Sequence, residues 1–146
     1  MIDAAQEKGV YGGGDGCVVA QDGSLEAIEV RGCLCRRGKM RAFSFRNIRC
    51  DGADWRHLFF VGRLRNPRSW GSNADVEPLV CGVGYVGRDA YEEALVASGR
   101  PTDRPMLACV SPGLHHSWLG RHVVWVKLKD LSAEWWLRHV RAPVHR

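Results

Sequence analysis

The stretch from Gly12 to Arg31, GGGDGCVVAQDGSLEAIEVR, most constrains what this chain can fold into. Its three opening glycines disfavour regular helix or strand at 12–14, because glycine loses the most backbone freedom on ordering. After Asp15 comes the apolar run Cys17–Ala20, then Gln21-Asp22-Gly23, then a second run ending Ile28-Glu29-Val30-Arg31. Two short apolar runs around a Gly-containing turn read as a β-hairpin. A three-residue loop with Gly23 in the left-handed region sets Ala20 opposite Ser24. Counting outward, Asp15 then faces Glu29, and Arg31 lies two residues further on the same face. A two-residue Asp22-Gly23 turn would shift the register by one and send Asp15 to the other face. Loop length therefore decides whether the acids form a site.

Two carboxylates facing each other across neighbouring strands suit a hard divalent cation. Mg²⁺ takes oxygen ligands, commonly one or two carboxylates with waters and a substrate phosphate. An acid opening one strand, followed by acid-x-cation on the next, resembles the PD-(D/E)XK nuclease superfamily, the restriction-endonuclease-like fold. Asp15 matches the first acid and Glu29 the second, while Arg31 stands where that family carries lysine. Gly14 replaces the proline of the motif. Glu7 is the only acid placed to act as the family's helix glutamate. The resemblance implies catalytic roles for Asp15, Glu29 and Arg31, and a metal site (Mg²⁺ or Mn²⁺) formed by Asp15, Glu29 and Glu7.

The order of segments extends the resemblance over roughly residues 5 to 140. An aromatic-basic segment (Arg41-Ala-Phe-Ser-Phe-Arg-Asn-Ile-Arg49) follows the acid pair, and Asp54-Trp55 then leads into Leu58-Phe-Phe-Val-Gly62. The expected fold is α/β, a restriction-endonuclease-like core with a central mixed β-sheet of about five strands flanked by helices. The expected activity is metal-dependent endonucleolytic cleavage of DNA. The rival expectation is a catalytically degenerate module of the same fold that binds nucleic acid or serves a larger assembly. Arg31, the missing proline and the short first helix favour it.

At 146 residues the chain reads as one domain, 1–146, with a packed core. Its first helical pattern, Met1–Lys8, is short for the family and suggests a truncated element. No apolar run approaches the ~18 residues of a membrane span. No basic-then-apolar leader pattern appears, so the reading is intracellular. The six cysteines (17, 33, 35, 50, 81, 109) then read as reduced, several inside strands. Cys33 and Cys35 lack the usual zinc spacing, and neither Cys50 nor His57 completes a standard set.

Net charge is +5, with seventeen Arg against four Lys. The planar guanidinium fork suits phosphate, which favours a nucleic-acid partner, DNA before RNA. Arg36, Arg37, Lys39, Arg41, Arg46 and Arg49 are the candidate contacts, interleaved with Phe43 and Phe45, which read as core. A homodimer or a larger assembly is the further partner expected. Further along, 58–61 reads as a buried central strand, and 66–78 as irregular. The segment 79–86 reads as a strand whose Gly82 and Gly84 admit close packing by a helix. Residues 88–98 read as a helix stopped by Gly99. A strand at 106–110, another at 122–128 and a helix at 131–140 with Ser132 as N-cap complete the expected elements. His115 and His116 read as a solvated loop.

Overall fold

The structure is a computed structural model that describes residues 15–36, 43–65, 79–111, 117–136 and 138. Glu7, Arg37, Lys39, Arg41, His115 and His116 lie outside them, as does the side chain of Arg36. In chain order the elements are β1 (Gly16–Val19), β2 (Leu25–Arg36), β3 (Phe43–Ile48), β4 (Trp55–Arg65) and β5 (Leu79–Gly87). Helix α1 (Arg88–Ala97), β6 (Met106–Val110), β7 (Val124–Lys127), a 3₁₀ turn (Leu128–Asp130) and α2 (Ala133–Trp136) follow.

Five strands form one mixed sheet in the order β1-β2-β4-β5-β7. The β2–β4 pair is parallel and the other three pairs are antiparallel. This is the α/β class with the mixed five-stranded sheet expected from the sequence, although helices are few among the described residues. β3 and β6 form a separate antiparallel pair.

The alternation along β4 explains how the layers stack. Leu58 and Phe60 point to one face, His57 and Phe59 to the other, and all four are buried. A strand apolar on both faces must be covered on both faces. On the first face Leu58, Phe60 and Val86 join Phe43, Phe45 and Ile48 of β3, Ala108 and Val110 of β6, and Tyr91, Ala94 and Leu95 of α1. On the second face Phe59 and Tyr85 carry a smaller cluster with Val18, Ile28, Trp135 and Trp136. Trp136 lies flat on Phe59, with ring centroids 5.2 Å apart and planes 6° from parallel.

Gly82 and Gly84 admit an indole rather than a helix. A Cβ at Gly84 would come within 2.8 Å of the Trp125 ring, and one at Gly82 within 2.6 Å of its Nε1. Gly62 on β4 is likewise floored by Phe43 and Trp125, whose rings stack at 5.4 Å. The helix expectation rested on small residues allowing close approach. Here the sheet's own edge strand supplies the ring that fills the gap.

Helix α1 ends as the sequence indicates. Gly99 takes φ of +69°, its amide donates to Val96 O, and the Arg100 amide donates to Leu95 O. This reciprocal pair satisfies the last carbonyls of the helix. At the other end Arg88 reaches backward. Its Nη1 donates to Ala53 O at 2.9 Å and Trp55 O at 3.0 Å, and its Nη2 donates to Cys50 O at 2.6 Å. Its Nε pairs with Glu92 at 2.7 Å, and the guanidinium lies 4.7 Å over the Trp55 ring. One side chain thereby fastens the Asp51–Asp54 turn to the start of α1. In α2, the Ser132 hydroxyl accepts from the Trp135 amide at 3.1 Å, as an N-cap does.

Candidate functional site

The hairpin loop holds three residues. Gly23 has φ of +86°, the Ala20 amide donates to Ser24 O at 2.8 Å, and Val19 pairs with Leu25. Asp22 closes the loop by accepting from both the amide and the hydroxyl of Ser24. The hydrogen bonds to Ser24 hold the Asp22 carboxyl below its usual range. From that loop the register runs Cys17 to Ala27 and Gly16 to Ile28. One step further, Asp15 comes opposite Glu29, its amide donating to Ile28 O at 3.0 Å, and the two carboxyls lie close enough to repel.

The Asp15 carboxylate also replaces the ladder where β1 stops. Its Oδ2 accepts from the Val30 amide at 2.8 Å, where a continuing strand would offer a backbone carbonyl. Asp15 is thus tethered by one oxygen while its residue stays exposed. Glu29 is less accessible, with its side chain 19% exposed. Burial pushes its carboxyl above the usual range and the neighbouring Asp15 adds to the rise, while the Arg31 guanidinium pulls it back.

Arg31 lies beside both the acid pair and the second layer. Its Nη1 pairs with Glu29 at 2.5 Å and also donates to Val30 O at 3.2 Å. Its Nη2 donates to Asn47 O at 3.0 Å. Asn47 is the one non-glycine residue with positive φ among the described residues, at +60°. It sits in the irregularity between Phe45 and Ile48, where β3 carries an extra residue relative to β6. Such a bulge turns side chains outward, and Arg46 and Arg49, bracketing Asn47, are both exposed. The fold thereby brings two of the candidate phosphate contacts to the segment that holds Arg31. Arg36 continues β2, but its side chain lies outside the described residues, as do Arg37, Lys39 and Arg41.

The residues present fit a hard cation only in its sparsest form. Asp15 and Glu29 supply two carboxylates, the number that Mg²⁺ commonly takes from a protein when waters and phosphate complete its shell. Among the described residues no group of three or more His, Cys, Asp or Glu is gathered to hold a metal. Glu7, the expected third acid, lies outside them. Cys33, Cys50 and His57 do not assemble into a zinc set.

A second polar group lies on the opposite face of the sheet, and sequence reasoning missed it. His57 is 4% exposed, its Nδ1 is 2.7 Å from Tyr85 Oη, and its Nε2 is 3.5 Å from Glu26 Oε1. A bulge explains the placement. Ala27 pairs with Trp55 but Ile28 pairs with His57, so Arg56 is the extra residue and remains exposed. The available signal was a histidine embedded in the run Trp55-Arg-His-Leu-Phe-Phe60, where burial demands a partner.

No helix among the described residues is long and apolar enough to cross a membrane. No family model, no curated protein and no solved structure matches this chain.

Proposed function

We propose that this chain is a divalent-metal-dependent nuclease of restriction-endonuclease-like type, acting on the phosphodiester bonds of DNA. The observation that carries the reading is the register that sets Asp15 opposite Glu29 with Arg31 two residues on. The mixed sheet, with the acid pair where β1 meets the parallel β2–β4 pair, supports it.

Asp15 and Glu29 would hold Mg²⁺ or Mn²⁺. When bound, such an ion polarises a phosphate oxygen and acidifies a bound water. The chain's own residues do the rest. The Val30 amide fixes the direction of the Asp15 carboxylate, leaving its second oxygen for the ion. Arg31 supplies a fixed positive charge and donors for a phosphate oxygen. It cannot take a proton from water, because a guanidinium stays charged in proteins and has no free basic site. Deprotonation of the nucleophile therefore falls to the carboxylates or to solvent. Arg46 and Arg49, exposed beside Asn47, neutralise flanking phosphates.

One observation favours a second reading, a nucleic-acid-binding module that has lost catalysis. Arg31 is already engaged by Glu29, Val30 O and Asn47 O, the contacts of a structural staple. Cleavage of duplex DNA by the parent protein and by Arg31→Lys, with Mg²⁺ and with Mn²⁺, separates the two. The nuclease reading expects metal-dependent cleavage that Glu29→Ala abolishes while DNA binding persists. Absence of cleavage by both proteins, in preparations shown to bind DNA, overturns it in favour of the second reading.

A further inference from the structure

The Glu26, His57 and Tyr85 side chains join three neighbouring strands on the face of the sheet opposite the acid pair. Tyr85 is the shared member of two contacts. Its ring stacks against His57 at 5.8 Å and meets Trp135 edge-on at 6.4 Å. Phe59, beside Tyr85, carries Trp136. Tyr85 therefore links His57 to Trp135 directly and to Trp136 through Phe59.

The neutral cluster has one arrangement that leaves no repulsion. The Tyr85 hydroxyl donates to Nδ1, and Nε2–H points at Glu26 Oε1. The second contact is too long for a good hydrogen bond, and among the described residues neither His57 Nε2 nor Glu26 Oε1 has a hydrogen-bond partner. Adding a proton changes both ends at once. Nδ1 becomes a donor, so Tyr85 must turn its hydroxyl proton away and accept instead. Nε2–H becomes charge-assisted and draws Glu26 inward. Among the described residues the charges facing His57 are Glu26 from β2 and Arg56 on its own strand, and the titratable hydroxyl of Tyr85 approaches from β5. From α2 the packing residues are Trp135 and Trp136, which offer no counter-charge.

We propose that this cluster is an acid-operated latch, in which protonation of His57 releases the Trp135–Trp136 segment from the sheet. Burial holds the His57 imidazole below its usual range, Glu26 opposes that and Arg56 reinforces it. The closed state thus binds the proton less readily than the open one. Its stability is fully present above the open-state pKa, about 6.5, and is lost as pH falls toward the closed-state value. The latch is independent of the nuclease reading, because none of its members touches Asp15 or Glu29.

Hydrogen exchange at the Trp136 amide, which donates to Ser132 O at 3.1 Å, reads the latch directly. Rates corrected for intrinsic pH dependence are followed from about pH 7.5 to about pH 4.5. Protection at Trp136 falls by up to about tenfold per pH unit below about 6.5, while amides of β4 and β5 hold theirs. In His57→Gln the pH dependence of that protection disappears. Glu26→Gln removes the counter-charge of the imidazolium and deepens the loss. Should His57→Gln fail to fold, Glu26→Gln together with the NMR titration of His57 decides. Protection at Trp136 that does not change with pH, or that falls equally in His57→Gln, overturns the proposal. So does a loss in Glu26→Gln no deeper than in the parent.

Discussion

Arg31 Nη2 donates to the carbonyl of Asn47 at 3.0 Å, joining the middle of β2 to the left-handed residue of β3. A left-handed backbone costs most side chains about 1–2 kcal/mol, and asparagine tolerates it better than most. Asn47→Ala is therefore expected to destabilise by about 1 kcal/mol. Asn47→Gly should stay within about 0.5 kcal/mol of the parent, since relief of strain offsets added unfolded-state freedom. Urea midpoints compare the three proteins. Equal losses in both variants would mean that the asparagine side chain, rather than the backbone conformation, matters.

The hairpin turn makes a similar demand with a larger consequence. Gly23→Ala has room for its Cβ, yet the φ of +86° is poorly adopted by alanine. A loss of about 1 kcal/mol is expected. If the loop rearranges to escape the strain, the Asp15–Glu29 register shifts with it. Divalent-ion affinity, measured by Mn²⁺ binding, would then fall in parallel with stability. Full Mn²⁺ affinity in a destabilised Gly23→Ala would show that the register survives.

Trp125 and the glycines beneath it form a size-matched pair. Gly84→Ala drives a methyl to 2.8 Å from the indole and 2.9 Å from Val123, an overpacking expected to cost about 1–3 kcal/mol. Trp125→Leu removes the ring and lessens the penalty of Gly84→Ala, giving a favourable coupling of about 0.5–3 kcal/mol. Additive losses in the double mutant would show that the sheet, not the ring, gives way.

Arg88 carries a different kind of load. Arg88→Ala strands three carbonyls that a single fork now satisfies, with an expected loss of about 1–3 kcal/mol. Arg88→Lys should recover less than half of it, because an ammonium cannot span Cys50 and Trp55 together. Lysine restoring full stability would argue that charge beside Glu92, rather than fork geometry, holds the turn.

Glu29 imposes a pH dependence whose sign is fixed by its raised pKa. A carboxyl easier to protonate in the folded chain contributes stability below its ordinary value of 4.5, and that contribution is lost as pH rises through the folded value. Parent stability minus that of Glu29→Gln should therefore decline from about pH 4 to about pH 7. Saturating Mg²⁺ should flatten the decline if the ion takes the ionised pair. A difference that rises with pH would show that the Arg31 ion pair outweighs burial.

The hairpin was legible because its rules are local. Gln21-Asp22-Gly23 specifies its own loop, and the opposition of Asp15 and Glu29 follows by counting. The same holds for α1, whose Gly99 stop is written into the chain beside it. The pairing of Phe43–Ile48 with Met106–Val110 was not legible, since neither strand carries a mark of its distant partner. Arg88 reads as an ordinary first-turn residue until the Cys50–Trp55 carbonyls are brought to it. In the sequence His57 reads only as a candidate zinc ligand, because its tyrosine and glutamate partners arrive from different strands. The bulge at Arg56 that lets them meet has no glycine or proline to announce it.

The separation of β3 from β6 sets a schedule on synthesis. Phe45 and Ile48 end fully buried, but part of their cover is the strand Met106–Val110. At ribosomal rates of about 5–20 residues per second, β6 leaves roughly 3–12 s after Ile48 does. Throughout that interval the nascent chain displays a Phe-x-Phe segment with an unpaired edge, flanked by arginines. A holdase engaging this protein would find its target in that window and lose it once Val110 has emerged.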